Sequence, residues 1–99
     1  MSRKRLDPIA PGEILREEFM RPLGITISAL AREIGVPANR ISQIVNGKRA
    51  FSADTALRLG KYFGMSPEIW LDLQSEYELR LARQTTWKHV EPRVRTRVD

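Results

Sequence analysis

Two amide side chains, Asn39 and Gln43, lie four residues apart in the middle of the chain. On a helix this spacing places both on one face, while Ile41, Ile44 and Val45 fall on the other at the spacing of a buried stripe. An amide both donates and accepts hydrogen bonds, so it can pair with a base edge such as N6 and N7 of adenine. We therefore predict a helix that contacts DNA bases with its polar face.

The neighbouring residues of this helix are small or polar as well. Ala38 and Ser42 would allow close approach to a thymine methyl group, or would simply avoid a clash. Asn46 could contact a base or cap the helix end. For Arg40 three partners are open, namely a guanine, a phosphate and Glu33 across the preceding turn, and phosphate is favoured because most protein–DNA hydrogen bonds go there.

Lys48 and Arg49 follow the helix in a loop, where the chain would pass the sugar-phosphate backbone. The alternative for them is a pair of solvated charges. The complete set of predicted DNA-contact residues is Ala38, Asn39, Arg40, Ser42, Gln43, Asn46, Lys48 and Arg49.

Two short helices must position this surface. Thr26 is a favourable N-cap and Gly35 a favourable C-terminal stop, so they bound one helix. Pro37 sets the backbone for the next helix, which ends at Asn46 and Gly47. Because only Gly35 and Val36 connect them, the two helices must cross steeply, which is the arrangement of a helix-turn-helix with the second helix, 37–46, as recognition helix.

Three further helices complete the predicted domain. The first runs from 11 to about 21, with Pro22 and Gly24 as breakers. Another follows the N-cap Ser52 and stops at Gly64. The fifth begins at Ser66-Pro67-Glu68 and runs for four turns or more.

The fifth helix has one predicted core face and one free face. The core stripe would comprise Ile69, Trp70, Leu73 and Tyr77. Off that stripe lie Leu71, Leu79 and, farther on, Trp87. Since one recognition helix contacts only a few base pairs, we expect a homodimer that uses these outer residues of a dimerising fifth helix.

Length and composition bound the alternatives. At 99 residues and 41% apolar content, the chain has room for one domain. We assign the domain to residues 11–84, between flexible basic tails at 1–10 and 85–99. The net charge of +5 suits a polyanionic partner. Because there is neither a long apolar run nor a secretory signal, we expect a cytoplasmic protein without membrane contact.

Enzymatic activity is not expected. His89 is the single histidine, and the acid pairs Glu17–Glu18 and Asp72–Glu76 are interpreted as solvated helix faces. The chain has no cysteine, which excludes the thiolate zinc sites of many small DNA-binding modules. We predict no catalytic residue, no metal, no cofactor and no small-molecule substrate.

Residues 11–79 resemble the HigA group of antitoxins, also called virulence-associated protein I, within the lambda-repressor-like helix-turn-helix class. The segments that carry the resemblance are PGEILREEF, ISQIVNGKR and SPEIWLDLQ. Pro37 departs from the family pattern, which more often has Ser or Thr at this N-cap.

The resemblance implies an all-α, compact five-helix lambda-repressor-like domain. It further implies a dimer that binds double-stranded operator DNA of its own operon and represses transcription. As an antitoxin the chain would bind and neutralise a cognate HigB-like toxin that cleaves mRNA. The alternative is a solitary regulator without a toxin.

Overall fold

The computed structural model describes residues 8–98, so most of the predicted basic tail at 1–10 lies outside the described residues. Within 8–98 all regular structure is helical. The six helices are α1 at 11–23, α2 at Ile27–Ile34, α3 at Ala38–Val45, α4 at Ala53–Phe63, α5 at Glu68–Gln84 and α6 at Trp87–Val90. None of the helices in this range is long and apolar enough to cross a bilayer.

The ends of α2 and α4 follow the predicted capping residues. The Thr26 hydroxyl accepts a hydrogen bond from the Ala29 amide at 3.1 Å, and the Ser52 hydroxyl accepts one from the Thr55 amide at 3.2 Å. Each bond satisfies an amide that has no partner within its own helix. Gly35 ends α2 in the left-handed conformation, with φ at 75°.

Helix α1 continues through Leu23 instead of stopping at residue 21. Its middle segment, Leu15–Met20, is π-helical. In a regular α-helix the Pro22 ring would clash with the carbonyl four residues earlier, and the wider π turn ahead of it provides space. The π-helical segment explains why the helix continues past Pro22, where the sequence predicted that it would end.

The core joins all the longer helices around Trp70, which is fully buried, as predicted. Its ring centroid lies 5.0 Å from that of Phe19 in α1 and 5.1 Å from that of Phe51. Phe51 belongs to the loop after α3, and its amide donates to the Gln74 side chain of α5 at 3.4 Å. Helix α5 therefore fixes the loop that carries Lys48 and Arg49.

The predicted faces of α5 need correction at two positions. Ile69, assigned to the core stripe, is 43% exposed, whereas Leu71, assigned to the free face, packs against the core. The cause is that the large side chain of Trp70 faces the core. The helix is therefore rotated so that Leu71 packs against the core and Ile69 faces solvent. Leu79 is exposed, as predicted.

The five-helix prediction is one helix short, because α6 follows α5 within the described residues. Thr85 breaks α5, and its hydroxyl donates to the Leu81 carbonyl at 2.8 Å. Trp87 and Val90, one turn apart, then place their side chains along the end of α5. Pro92 does not prevent this, since it lies in the first turn of a 3-10 segment, where a missing N–H costs nothing.

Candidate nucleic-acid interface

Helix α3 has the two faces that its sequence predicts. Ile41, Ile44 and Val45 are buried, whereas Asn39 and Gln43 are exposed. Ala38 and Asn46 are exposed too, and Ser42 and Arg40 are half-buried. The outward surface of α3 is therefore small and polar, and the amides of Asn39 and Gln43 can reach a partner.

Helix α1 packs against the back of α3 at very close range. A Cβ atom built on Gly12 would lie 1.8 Å from the Ile44 carbonyl oxygen, so only glycine fits there. This contact between the two backbones leaves no space between α1 and this part of α3.

Lys48 and Arg49 lie beside Gln43, so the structure brings the predicted base and phosphate contacts together. The Arg49 guanidinium donates to Gln43 Oε1 at 3.4 Å, and the Lys48 backbone amide donates to the Gln43 carbonyl at 2.8 Å. All three side chains are exposed. The surface thus combines an amide with adjacent cations, which suits a base edge flanked by phosphates.

Asn46 occupies the C-cap position of α3. Its Nδ2 donates to the Ser42 carbonyl at 2.9 Å and lies 3.5 Å from the Ser42 hydroxyl. Of the two roles open to Asn46, the structure shows the helix-end contact. At the other end, Pro37 is the N-cap and makes no side-chain capping bond, as its departure from the family pattern predicted.

The hydrogen-bond partner of Arg40 in this structure is a residue of α4, and not Glu33. Arg40 Nη1 donates to Asp54 Oδ2 at 2.9 Å, and the arginine side chain is 25% exposed. Asp54, in the first turn of α4, also accepts a hydrogen bond from Arg58 Nε at 3.0 Å. The Arg58 bond, followed by that of Arg40, lowers the pKa of Asp54 below its ordinary value of 3.8.

Arg58 continues this set of contacts to the helix-turn-helix connection. Its Nη1 donates to the Ile34 carbonyl at 2.7 Å and to the Gly35 carbonyl at 3.1 Å. These carbonyls at the end of α2 have no partner within the helix. Sequence reasoning missed Asp54 and Arg58. Their spacing of four residues could have indicated their mutual ion pair, but nothing in the sequence connects them to Arg40 or to the turn.

Across residues 8–98 no group of His, Asp or Glu side chains is arranged to hold a metal ion. His89 is exposed on α6, distant in sequence from the α3 surface.

Comparison with known proteins agrees with the helix-turn-helix geometry. A family model described as Helix-turn-helix matches residues 15–70. Virulence-associated protein I of Dichelobacter nodosus is 45% identical over 82 residues, which cover 83% of this chain and 76% of that protein.

Solved structures extend the similarity. The Pseudomonas aeruginosa antitoxin HigA, solved with the higBA promoter, has a TM-score of 0.87 and 44% identity, over 92% of this chain and 99% of its own. The antitoxin GraA in complex with its operator has a TM-score of 0.89 and 38% identity, and the match covers 100% of both chains. The chain therefore belongs to the HigA (virulence-associated protein I) family of lambda-repressor-like helix-turn-helix proteins.

Proposed function

We propose that the protein is a sequence-specific DNA-binding repressor of its own operon. The observation that carries this proposal is the exposed, uncharged amide surface of α3 beside Lys48 and Arg49. An ordinary solvated helix more often carries Glu and Lys on such a face, whereas amides discriminate between base edges. Relatives whose structures contain a promoter or an operator support the same use of α3.

A homodimer is part of this proposal. Leu79 is 54% exposed and Trp87 is 38% exposed, and together with Val90 they line an open groove of about 450 Å³ between α5 and α6. Arg83 and Thr86 also line the groove, but most of its surface is apolar, and exposed apolar surface favours burial against another protein. A two-fold dimer would place two α3 helices in half-sites about 34 Å apart.

We further propose that the protein is an antitoxin, which binds and neutralises a cognate HigB-like toxin that cleaves mRNA. Support comes from relatives named antitoxins. To test it, the protein would be co-expressed with the product of the adjacent gene. Co-purification and loss of mRNA cleavage support the antitoxin, whereas a gene neighbour without nuclease activity supports a solitary regulator.

The experiment on DNA binding uses Gln43→Ala. Affinity is measured by gel-shift titration on a duplex from the protein's own promoter and on a scrambled duplex. We expect promoter affinity to fall by about 1–3 kcal/mol and scrambled affinity to stay nearly constant, because one amide–base pair is lost.

Asn46→Ala is the matched control: Asn46 is the C-cap residue of α3, and its Nδ2 donates to the Ser42 carbonyl at 2.9 Å, whereas Gln43 accepts a longer bond of 3.4 Å from the exposed Arg49. Its promoter affinity should change less than that of Gln43→Ala. Equal losses on both duplexes for Gln43→Ala would contradict base contact by this residue.

A further inference from the structure

We propose that Arg40, Asp54 and Arg58 form a positioning bridge that sets the pose of the recognition helix, and that Arg40 serves this bridge instead of contacting DNA. The inference rests on the proposed DNA-binding function, because the pose matters only if α3 enters a groove. The three side chains are called the arginine–aspartate bridge below.

The bridge joins both helices of the helix-turn-helix to α4. It begins on α3 with the 2.9 Å bond from Arg40 to Asp54 and continues with the 3.0 Å bond from Arg58 to the same carboxylate oxygen. It ends on the last carbonyls of α2, at 2.7 and 3.1 Å. All these distances are those of well-formed hydrogen bonds, and the two at the carboxylate are charge-assisted.

Gly35, in the connection between α2 and α3, leaves space for the Arg58 guanidinium. A Cβ atom on Gly35 would lie 3.2 Å from Arg58 Nη1, so a larger residue would crowd the guanidinium as well as strain the backbone at φ 75°. In the turn itself Val36 packs against the core, and the polar contacts from α4 add to this apolar packing. Arg58 ties the end of α2 to α4, and Asp54 ties the start of α3 to the same helix.

Burial separates only the Arg40 end of the bridge from an ordinary surface ion pair, since the side chains of Asp54 and Arg58 are 56% and 40% exposed. Exposed ion pairs contribute little, because water and salt screen them. Arg40, however, is only 25% exposed, and within residues 8–98 its buried Nε has no hydrogen-bond partner. Asp54 therefore supplies the charge that balances a largely buried guanidinium, and its loss would leave that guanidinium uncompensated.

Whether removal of the Asp54 carboxylate raises or lowers DNA affinity distinguishes a positioning role from a purely electrostatic one. Asp54 is an exposed carboxylate that lies next to α3 through its bond with Arg40, and therefore near the surface proposed to bind DNA. If it acted only through its charge, removing it would raise the affinity for every duplex. If it positions α3, removing it must lower affinity for the promoter duplex, because hydrogen bonds to bases tolerate only small displacements.

The test compares Asp54→Asn and Arg58→Lys with the control Glu33→Gln, which removes an exposed acid of α2 outside the bridge. Fluorescence anisotropy gives the dissociation constant on promoter and scrambled duplexes at one salt concentration. For Asp54→Asn we expect about a tenfold loss on the promoter duplex and no loss on the scrambled one.

Arg58→Lys keeps the charge but removes the fork that bonds Asp54 and the α2 carbonyls together. It should lose promoter affinity in the same direction, whereas Glu33→Gln should bind both duplexes at least as tightly as the unaltered protein. Circular dichroism melting verifies that each variant is folded. Unchanged or increased promoter affinity in Asp54→Asn would overturn the proposal, and so would an Arg58→Lys variant equal to the unaltered protein.

Amide hydrogen exchange supplies a readout that needs no DNA. Loss of the bridge should accelerate exchange in α3 and leave the core amides of α4 and α5 protected. Should the unaltered protein bind both duplexes equally, the proposal of sequence-specific DNA binding fails, and the exchange experiment still decides the bridge. Unaltered exchange in α3 of both variants would then overturn it.

Discussion

Truncation of Trp70 to alanine should be among the most destabilising single changes in this protein. The side chain has no exposed surface and packs between Phe19 of α1 and Phe51 of the loop after α3. The loop and α1 would both lose their common support. We therefore expect a loss of folding stability together with weaker binding to any DNA, because Phe51 anchors the loop of Lys48 and Arg49.

The magnitude follows from burial. A large aromatic side chain removes 150–250 Å² from water, and at about 25 cal/mol per Å² this amounts to roughly 4–6 kcal/mol. Measured Trp→Ala and Phe→Ala changes in protein cores cost about 3–5 kcal/mol. Since domains of this size are stable by about 5–15 kcal/mol, the Trp70→Ala variant would be close to unfolding.

Trp70→Phe is the informative companion, because the indole Nε1 is buried without a hydrogen-bond partner in the described part of the chain. Replacing indole by phenyl removes apolar contact but also removes an unsatisfied donor, whose burial costs about 1–3 kcal/mol. The two effects oppose each other. We expect Trp70→Phe to be at least about 2 kcal/mol more stable than Trp70→Ala.

Urea unfolding followed by far-ultraviolet circular dichroism would measure both variants at one protein concentration, since the proposed dimer would make stability depend on concentration. A loss below about 1 kcal/mol in Trp70→Ala would refute the central role of this side chain. Equal losses in both variants would contradict this expectation, because they would mean that a phenyl ring recovers none of the apolar contact that alanine loses.

Three further outcomes are expected. Lys48→Ala combined with Arg49→Ala should weaken binding to every duplex and make the slope of log affinity against log salt shallower by about one to two, which a salt titration measures. Leu79→Glu should give a folded monomer by sedimentation, whereas the control Leu57→Glu, at the exposed leucine of α4, should not. A Leu79→Glu variant that still sediments as a dimer would exclude this surface as the dimer interface. The hydrogen bond from Arg58 lowers the pKa of Asp54 below 3.8 in the folded protein. Asp54 therefore stabilises the fold, relative to Asp54→Asn, at pH values above 3.8, and this stabilisation should be lost as the pH falls through the lowered pKa, as acid unfolding curves of the two proteins would show.

The helix-turn-helix could be predicted from sequence because its determinants are local. Thr26, Ser52 and Gly35 act within one turn of their own helices, so their residue types nearly fix where helices begin and end. The two faces of α3 follow from the spacing of its isoleucines, which needs no knowledge of the partner helix. Local rules therefore gave both the scaffold and the orientation of Gln43.

The contacts that sequence reasoning missed, and the positions that it assigned wrongly, depend on distant residues. Arg40 and Asp54 are 14 residues apart, and only the folded arrangement of α3 against α4 brings them together. The orientation of α5 depends on which neighbours surround Trp70, and period counting could not distinguish Ile69 from Leu71. Proline rules were too strict at Pro22, where a π-helical segment accommodates the ring.

The cations of the loop and the amide of α3 would contribute different properties to DNA binding, and neither alone would give tight and selective binding. Contacts from Lys48 and Arg49 to phosphates would add affinity for any DNA without selecting a sequence. The amide of Gln43 would select a base but adds little affinity, since it exchanges water for a base edge. Selection thus depends on holding Gln43 in register while the cations bind. In this structure the contacts that hold α3, and with it Gln43, are the close packing of Gly12 against the α3 backbone and the arginine–aspartate bridge.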